Sequence, residues 1–392
     1  MASIAAIIPS RNRARFAMNA ARSLLDQDSR IDIFVSDNST SPDSLRAFCR
    51  GEPRITYLRP AGELSMGEHW DWAVRQAMER SAATHFTIHY DRKHSKAGSW
   101  DRLDALASRW PDQLISFPMD QMASQPPPLR LWQTPWTGKL FSISTAHLAG
   151  VIAAGSMMPI AQALPIFSNC LVPRPVLQSI VDRFGDVCNV IGPDGAFLVR
   201  FLALHDNYLF HDHAQGIIYA SHRSAGLGYL RGKGGDYSDF LKMAGDRPWL
   251  EAAPVPGIDL GNNMLYHEFE LVRRATGDRL PKLEREAVLR DLARELRWTA
   301  DRRLKRQLRA ILTEHGWTGP EPEPLPRRGR AEALGEWYLR RRLKKHGEVP
   351  KTITGFRFRS DEEGLLYALR YPRLRQETHE HLEPLNPAEM AP

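Results

Sequence analysis

Ala6-Ile-Ile-Pro-Ser-Arg-Asn-Arg13 and Val35-Ser-Asp-Asn-Ser-Thr40 are the two segments on which the fold turns. Each ends an apolar run, Ile4–Ile8 and Ile31–Ser36, and each then passes into polar turn chemistry. Between them, Ala14–Gln27 places Phe16, Ala20, Leu24 and Leu25 near one face of a helix. That is a β-α-β opening. Pro42–Cys49, Ile55–Leu58, Gly67–Ser81 and Phe86–His89 continue the alternation. Alternation of this kind favours a parallel sheet covered by helices on both sides. Ligands of such sheets bind beyond the carboxyl ends of the strands, so Pro9–Arg13, Asp37–Thr40 and Tyr90–His94 are the stretches to read for chemistry.

The later chain extends the same domain. A helix is expected over Trp100–Trp110, a strand near Leu114–Phe117, and an ordered loop over Gln121–Trp136, which is rich in Pro, Gln and Trp. Lys139–Ser144, Val176–Phe184, Ala196–Leu204, Asn207–His211 and Ile217–Ala220 read as further strands and helices. Gly226–Gly235 carries five glycines and reads as a connector or a lid. Beyond Gly261, Leu265–Arg274, Lys282–Glu314 and Ala331–His346 carry Leu at helical spacing among Arg and Glu, with a Pro- and Glu-rich linker over Pro320–Arg330. The expected organisation is a catalytic domain over 1–230, a connector over 231–260 and a basic helical extension over 261–392.

The chain has 392 residues, 42% of them hydrophobic, and a net charge of +7. Residues 271–350 hold 21 Lys/Arg against 12 Asp/Glu, so the surplus sits in the extension and the remainder is slightly acidic. An anionic partner is expected for that extension, a membrane surface or a phosphate-bearing substrate, unless it is simply a solvated face. Nucleic acid is a poor candidate, because the Arg-rich helices alternate with Glu and lack interleaved aromatics. No apolar run is long enough to span a bilayer. The first apolar segment has no basic leader, so it reads as a strand and a cytoplasmic location is expected. Cys49, Cys170 and Cys188 are widely spaced and read as buried thiols.

Taken together, Pro9-Ser-Arg-Asn-Arg13 and Asp37-Asn-Ser-Thr40 resemble the nucleotide-binding half of family 2 glycosyltransferases, inverting enzymes of the GT-A fold. The glycine-rich dinucleotide fingerprint is missing after the first strand, which argues against a dehydrogenase. The resemblance implies an α/β, Rossmann-like, mainly parallel sheet and a nucleoside diphosphate sugar donor. It assigns Pro9, Ser10, Asn12, Arg13, Asp37 and Asn38 to the nucleotide, with Arg59 or Ser65 touching the base or diphosphate. Asp37 read by itself favours turn chemistry, a reading reversed by its pairing with the first motif. Trp70 and Trp72 read as core or pocket-wall aromatics.

Tyr90-Asp-Arg-Lys-His94 stands where the family places an Asp-x-Asp metal motif. Only Asp91 survives as a carboxylate. The resemblance implies Mg²⁺ or Mn²⁺ on Asp91, completed by His222 or another of His89, His94, His211 and His213. Arg92 and Lys93 are expected to face the diphosphate and to replace part of the metal's charge. Finally, Val190-Ile-Gly-Pro-Asp-Gly-Ala-Phe197 resembles the acidic start of an acceptor-side helix, which makes Asp194 the expected general base. Pro-Asp at a helix start also reads as a cap. The acceptor implied is a glycan or a lipid-linked sugar, the setting bacterial surface polysaccharide synthesis; a catalytically silent nucleotide-sugar-binding scaffold is the alternative.

Overall fold

The computed structural model describes residues 3–27, 31–123, 130–133, 138–155, 163–188, 192–219, 250–258, 260–296, 299, 301–320 and 353–354. Strands β1 (Ile4–Ser10), β2 (Ile31–Asp37), β3 (Ile55–Leu58) and β4 (His85–Ile88) alternate with helices α1 (Ala14–Leu25), α2 (Asp43–Arg50) and α3 (Met66–Arg80). They pair in parallel in the order β3-β2-β1-β4. This is the opening that the apolar periodicity predicts.

The sheet then turns mixed. Ile115–Ser116 (β6), Leu140–Ser144 (β9), Cys170–Pro173 (β10) and Asn207–His211 (β11) complete eight strands in the order β3-β2-β1-β4-β10-β6-β11-β9. β10 is antiparallel to both its neighbours, β11 is parallel to β6, and β9 closes the edge antiparallel to β11. The result is the α/β class expected from the sequence, a mixed, mainly parallel sheet flanked by helices.

Two apolar layers form because strand residues alternate faces. Ile4, Ala6 and Ile8 pack with Ala17, Ala20 and Leu24 of α1, Leu45 of α2, and Trp100 and Leu103 of α4 (Ser99–Arg109). Ala5 and Ile7 face the other way, onto Trp70 and Val74 of α3. With them lie α5 (Thr145–Ala153), α6 (Arg174–Phe184) and α7 (Pro193–Leu204), which contribute Leu148, Leu177 and Phe197.

The described part of the basic extension joins this second layer. Helices α8 (Gly261–Ala275), α9 (Arg285–Glu295) and α10 (Arg302–Glu314) place Tyr266, Phe269, Val288, Leu292, Leu308 and Leu312 in the same core as the sheet. Buried Arg200 of α7 reaches Glu268 of α8 at 3.1 Å. At the turn after α5, Gly155 has φ +61°, and a Cβ there would lie 2.6 Å from the Ala287 carbonyl of α9. The bare backbone is what lets α9 approach.

A second, five-stranded sheet has the order β13-β8-β7-β12-β5, with β5 at Lys93–Ser95, β7 at Asp120–Ala123, β8 at Arg130–Gln133, β12 at Gly216–Ile218 and β13 at Ile353–Thr354. Here the sequence reading needs correction. The loop expected over Gln121–Trp136 contains paired strands β7 and β8. The single helix expected over Lys282–Glu314 is two, because Asp301 accepts from the Arg303 and Leu304 amides and starts α10 afresh. Gly226–Gly235, Ala331–His346 and all of Pro320–Arg330 beyond its first residue lie outside the described residues. Among the described residues no helix is long and apolar enough to cross a membrane, and the three cysteines are free and buried.

Candidate active site

The carboxyl ends of β1, β2 and β4 lie side by side, with Ser10 in register with Asp37. Two loops leave these ends and are tied to one another. Asn12 adopts φ +56°, its amide donates to Ser39 Oγ at 2.7 Å, and its Oδ1 accepts from the Thr40 amide at 3.0 Å. Asn tolerates this left-handed conformation better than most side chains. Asn38 braces the next loop by pairing its amide group with Leu64: Nδ2 donates to the carbonyl at 2.7 Å and Oδ1 accepts from the N–H at 3.2 Å.

Asp37 is fully buried and spent within the chain. Its Oδ1 accepts from the Ser39 amide at 2.9 Å, its Oδ2 from the Tyr57 hydroxyl at 3.0 Å. Arg59 straps the turn from outside, donating to the carbonyls of Asp37 at 3.2 Å and Ser39 at 2.8 Å. Ser65 caps α3 in a reciprocal box with Glu68: the Glu68 amide donates to Ser65 Oγ, and the Ser65 amide donates to Glu68 Oε2 at 3.0 Å. Of the residues expected to touch a nucleotide, Asp37, Asn38, Arg59 and Ser65 therefore form the scaffold of the loops. Pro9 lies in β1 opposite Ser36.

Asp91 follows β4 and lies beside β1. It is 3% exposed, and its Oδ2 accepts from Arg13 Nε at 2.9 Å and from Ser10 Oγ at 3.4 Å. Burial raises its pKa, while Arg13, Arg92 and Ser10 pull it back. Arg92 faces both Asp91 and Asp194 and donates to the Tyr219 carbonyl at 3.3 Å. So Ser10, Arg13, Asp91 and Arg92 are brought together.

Lys93 is not with them. It opens β5, is 1% exposed, donates to the Ser168 carbonyl at 3.1 Å and lies 5.0 Å from the centre of the Phe117 ring. Burial lowers its ammonium to about 7. Its expected place on the diphosphate is corrected to the protein interior, where it anchors the short 3-10 turn Phe167–Asn169.

That turn bears on Asp194, in the first turn of α7. The Tyr90 hydroxyl donates to Asp194 Oδ2, and Ser168 lies beside the carboxylate. Oδ1 makes no hydrogen bond among the described residues. Burial raises Asp194 to about 6, against the opposing pull of Tyr90, Ser168 and Arg92. Trp70, one of the two aromatics read as core or pocket wall, is buried in the core, and its ring centre lies 5.7 Å from that of Tyr90.

The metal expectation meets a poor donor set. No group of three His, Cys, Asp or Glu able to hold a metal ion occurs among the described residues. His89 Nε2 is 3.0 Å from Ser95 Oγ, and His211 stacks with His213 at 5.7 Å while Gln215 reaches its ring at 3.0 Å. His222 lies outside the described residues. Asp91 already serves two donors, one of them a cation, so the described residues do not fit a preformed divalent site.

No family model matches the chain, and no curated protein matches it. Similar solved structures do occur. Residues 1–349 of S. aureus TarS in complex with UDP-GlcNAc align at 12% identity and TM-score 0.45, covering 80% of this chain and 89% of that one. The same TarS segment with UDP aligns at 12% identity and TM-score 0.44, covering 93% and 98%.

Two partnerships at the site were invisible in the sequence. Tyr90 and Asp194 are 104 positions apart, and nothing in either motif signals their bond. Ser168, between Lys93 and Asp194, lies in no motif at all. The Ser65-x-x-Glu68 spacing, by contrast, is a capping-box signal legible from sequence.

Proposed function

We propose that this chain is an inverting glycosyltransferase that moves a sugar from a nucleoside diphosphate donor to a hydroxyl of a glycan or lipid-linked acceptor, in the synthesis of a bacterial surface polysaccharide. The observation that carries the reading is Asp194, a carboxylate raised to about 6 and held on one oxygen by Tyr90, beside the Arg13–Asp91–Arg92 cluster at the strand ends. A general base is most effective when its pKa lies near the working pH.

In this mechanism the Asp194 carboxylate takes the proton of the acceptor hydroxyl. The oxygen attacks the anomeric carbon, and the bond from that carbon to the diphosphate oxygen breaks on the opposite face. The guanidinium groups of Arg13 and Arg92 meet the charge that develops on the leaving diphosphate. Tyr90 keeps the base aimed. The exposed arginines of α10 supply the contact with an anionic membrane surface that holds a cytoplasmic enzyme near a lipid-linked acceptor.

The test is turnover of a panel of nucleotide sugars by wild type and Asp194→Asn. Turnover that survives the substitution within a few-fold refutes the assignment of the base. The second reading, a silent nucleotide-sugar-binding scaffold, draws on the internal satisfaction of Asp37 and Asp91; binding without turnover for every donor and acceptor selects it.

A further inference from the structure

We propose that Arg13 and Arg92, gathered around the buried Asp91 carboxylate, form an anion site that takes the diphosphate of a nucleoside diphosphate without a divalent cation. The nucleoside half of this statement rests on the glycosyltransferase reading; the anion half does not.

One oxygen of the Asp91 carboxylate, where a metal ion would bind, is already engaged. Mg²⁺ or Mn²⁺ binds a carboxylate oxygen at roughly 2.0–2.2 Å. Asp91 Oδ2 has Arg13 Nε at 2.9 Å and Ser10 Oγ at 3.4 Å, in a site where the carboxylate is almost wholly shielded from water. A dication on that oxygen would sit against a fixed guanidinium, and like charges at such separations repel strongly in a dry site. The residue before Asp91 offers no second ligand. Tyr90 is a phenol held well in its neutral form by burial, and its hydroxyl donates its hydrogen bond to Asp194.

What the cluster offers instead is positive charge in the right form. One carboxylate is faced by two guanidiniums, and a guanidinium matches phosphate oxygens in a planar, two-pronged way that an ammonium cannot. The Arg13 side chain keeps 29% of its surface exposed, so it can be reached from the strand ends. Arg13 also immediately precedes α1, a helix with no acidic residue in its first turn, so the helix field adds to the attraction for an anion. Asp91 in this account is the counter-ion that keeps Arg13 and Arg92 in place.

Calorimetry on the full chain tests this with UDP, GDP, CDP, dTDP and inorganic pyrophosphate as probes, each in EDTA and again with MnCl2. Binding of at least one nucleoside diphosphate in EDTA is expected, changed less than about threefold by Mn²⁺ and weakened about tenfold or more by Arg13→Gln and by Arg92→Gln. Arg13→Lys should recover only part of the loss, and thermal melts report whether each variant is folded. Manganese EPR on the ligand-free chain should show no tight site. Nucleoside diphosphate binding only when Mn²⁺ is present overturns the proposal and leaves the glycosyltransferase reading standing. Pyrophosphate binding in EDTA without any nucleoside diphosphate upholds the anion site and removes the nucleotide. No binding of any probe overturns both.

Discussion

In the proposed mechanism, Asp194 and Tyr90 carry the chemistry at the scale of single residues. The Tyr90 hydroxyl favours the charged form of Asp194, so its removal should raise the carboxyl group further above its present value near 6. A base works only when deprotonated, so activity should rise with pH through that value. In Tyr90→Phe the acidic limb of kcat against pH should move to higher pH, with the alkaline plateau less affected; an unmoved limb would show that Tyr90 does not act on the base. Asp194→Asn should lower kcat by about 10² to 10⁴-fold while the nucleotide still binds, read by paired kinetics and calorimetry. The place of Asp194 in the first turn of α7 was legible because Pro-Asp at a helix start is a local signal. Strand-end Asp-Asn-Ser and Ser-x-x-Glu are also good turn and capping chemistry, and in the structure Asp37 and Ser65 make those turn and capping bonds.

Elements were legible where apolar periodicity is clean. β1, β2 and β3, with α1 and α3, lie within a few residues of their expected ranges. β5 was missed because Lys93-His94-Ser95 carries no apolar residue, although Lys93 and Ser95 are buried. Its neighbour β12 passes so close that a Cβ at Gly216 would lie 2.8 Å from the His94 carbonyl. Gly216→Val should therefore lower stability by about 1–3 kcal/mol, measurable by chemical denaturation. Between α8 and α9, Glu295 accepts from the amides of Gly261 at 2.8 Å and Asn262 at 3.0 Å, and burial raises it to about 7. A carboxyl group raised on folding contributes stability that is full below its unfolded value near 4.5 and is lost as pH rises through about 7. Denaturation at pH 5 and pH 8 should show this loss in wild type, and Glu295→Gln should flatten it. An identical pH dependence in the variant would exclude Glu295 as the source.

At the scale of the whole molecule, the sequence suggested a catalytic domain followed by a basic appendage, because the pattern changes at the glycine-rich stretch and helix formers dominate beyond Gly261. Composition could not reveal that Tyr266, Phe269, Val288, Leu292, Leu308 and Leu312 complete the apolar layer under α3 and α7. Cutting the gene after residue 260 should leave that layer open to water and yield an aggregating chain. Membrane affinity is therefore better tested by charge reversal on α10, at Arg302, Arg303 and Arg306, than by deletion of the extension. Sedimentation with phosphatidylglycerol vesicles that is unchanged by three such reversals would rule out α10 as the contact.

The glycine at position 155 offers a gentler lever than any deletion. Because a side chain there would collide with the Ala287 carbonyl, Gly155→Val should pry α9 away in a chain of full length and unaltered charge. One substitution thus separates what the C-terminal helices do by mass from what they do by being seated.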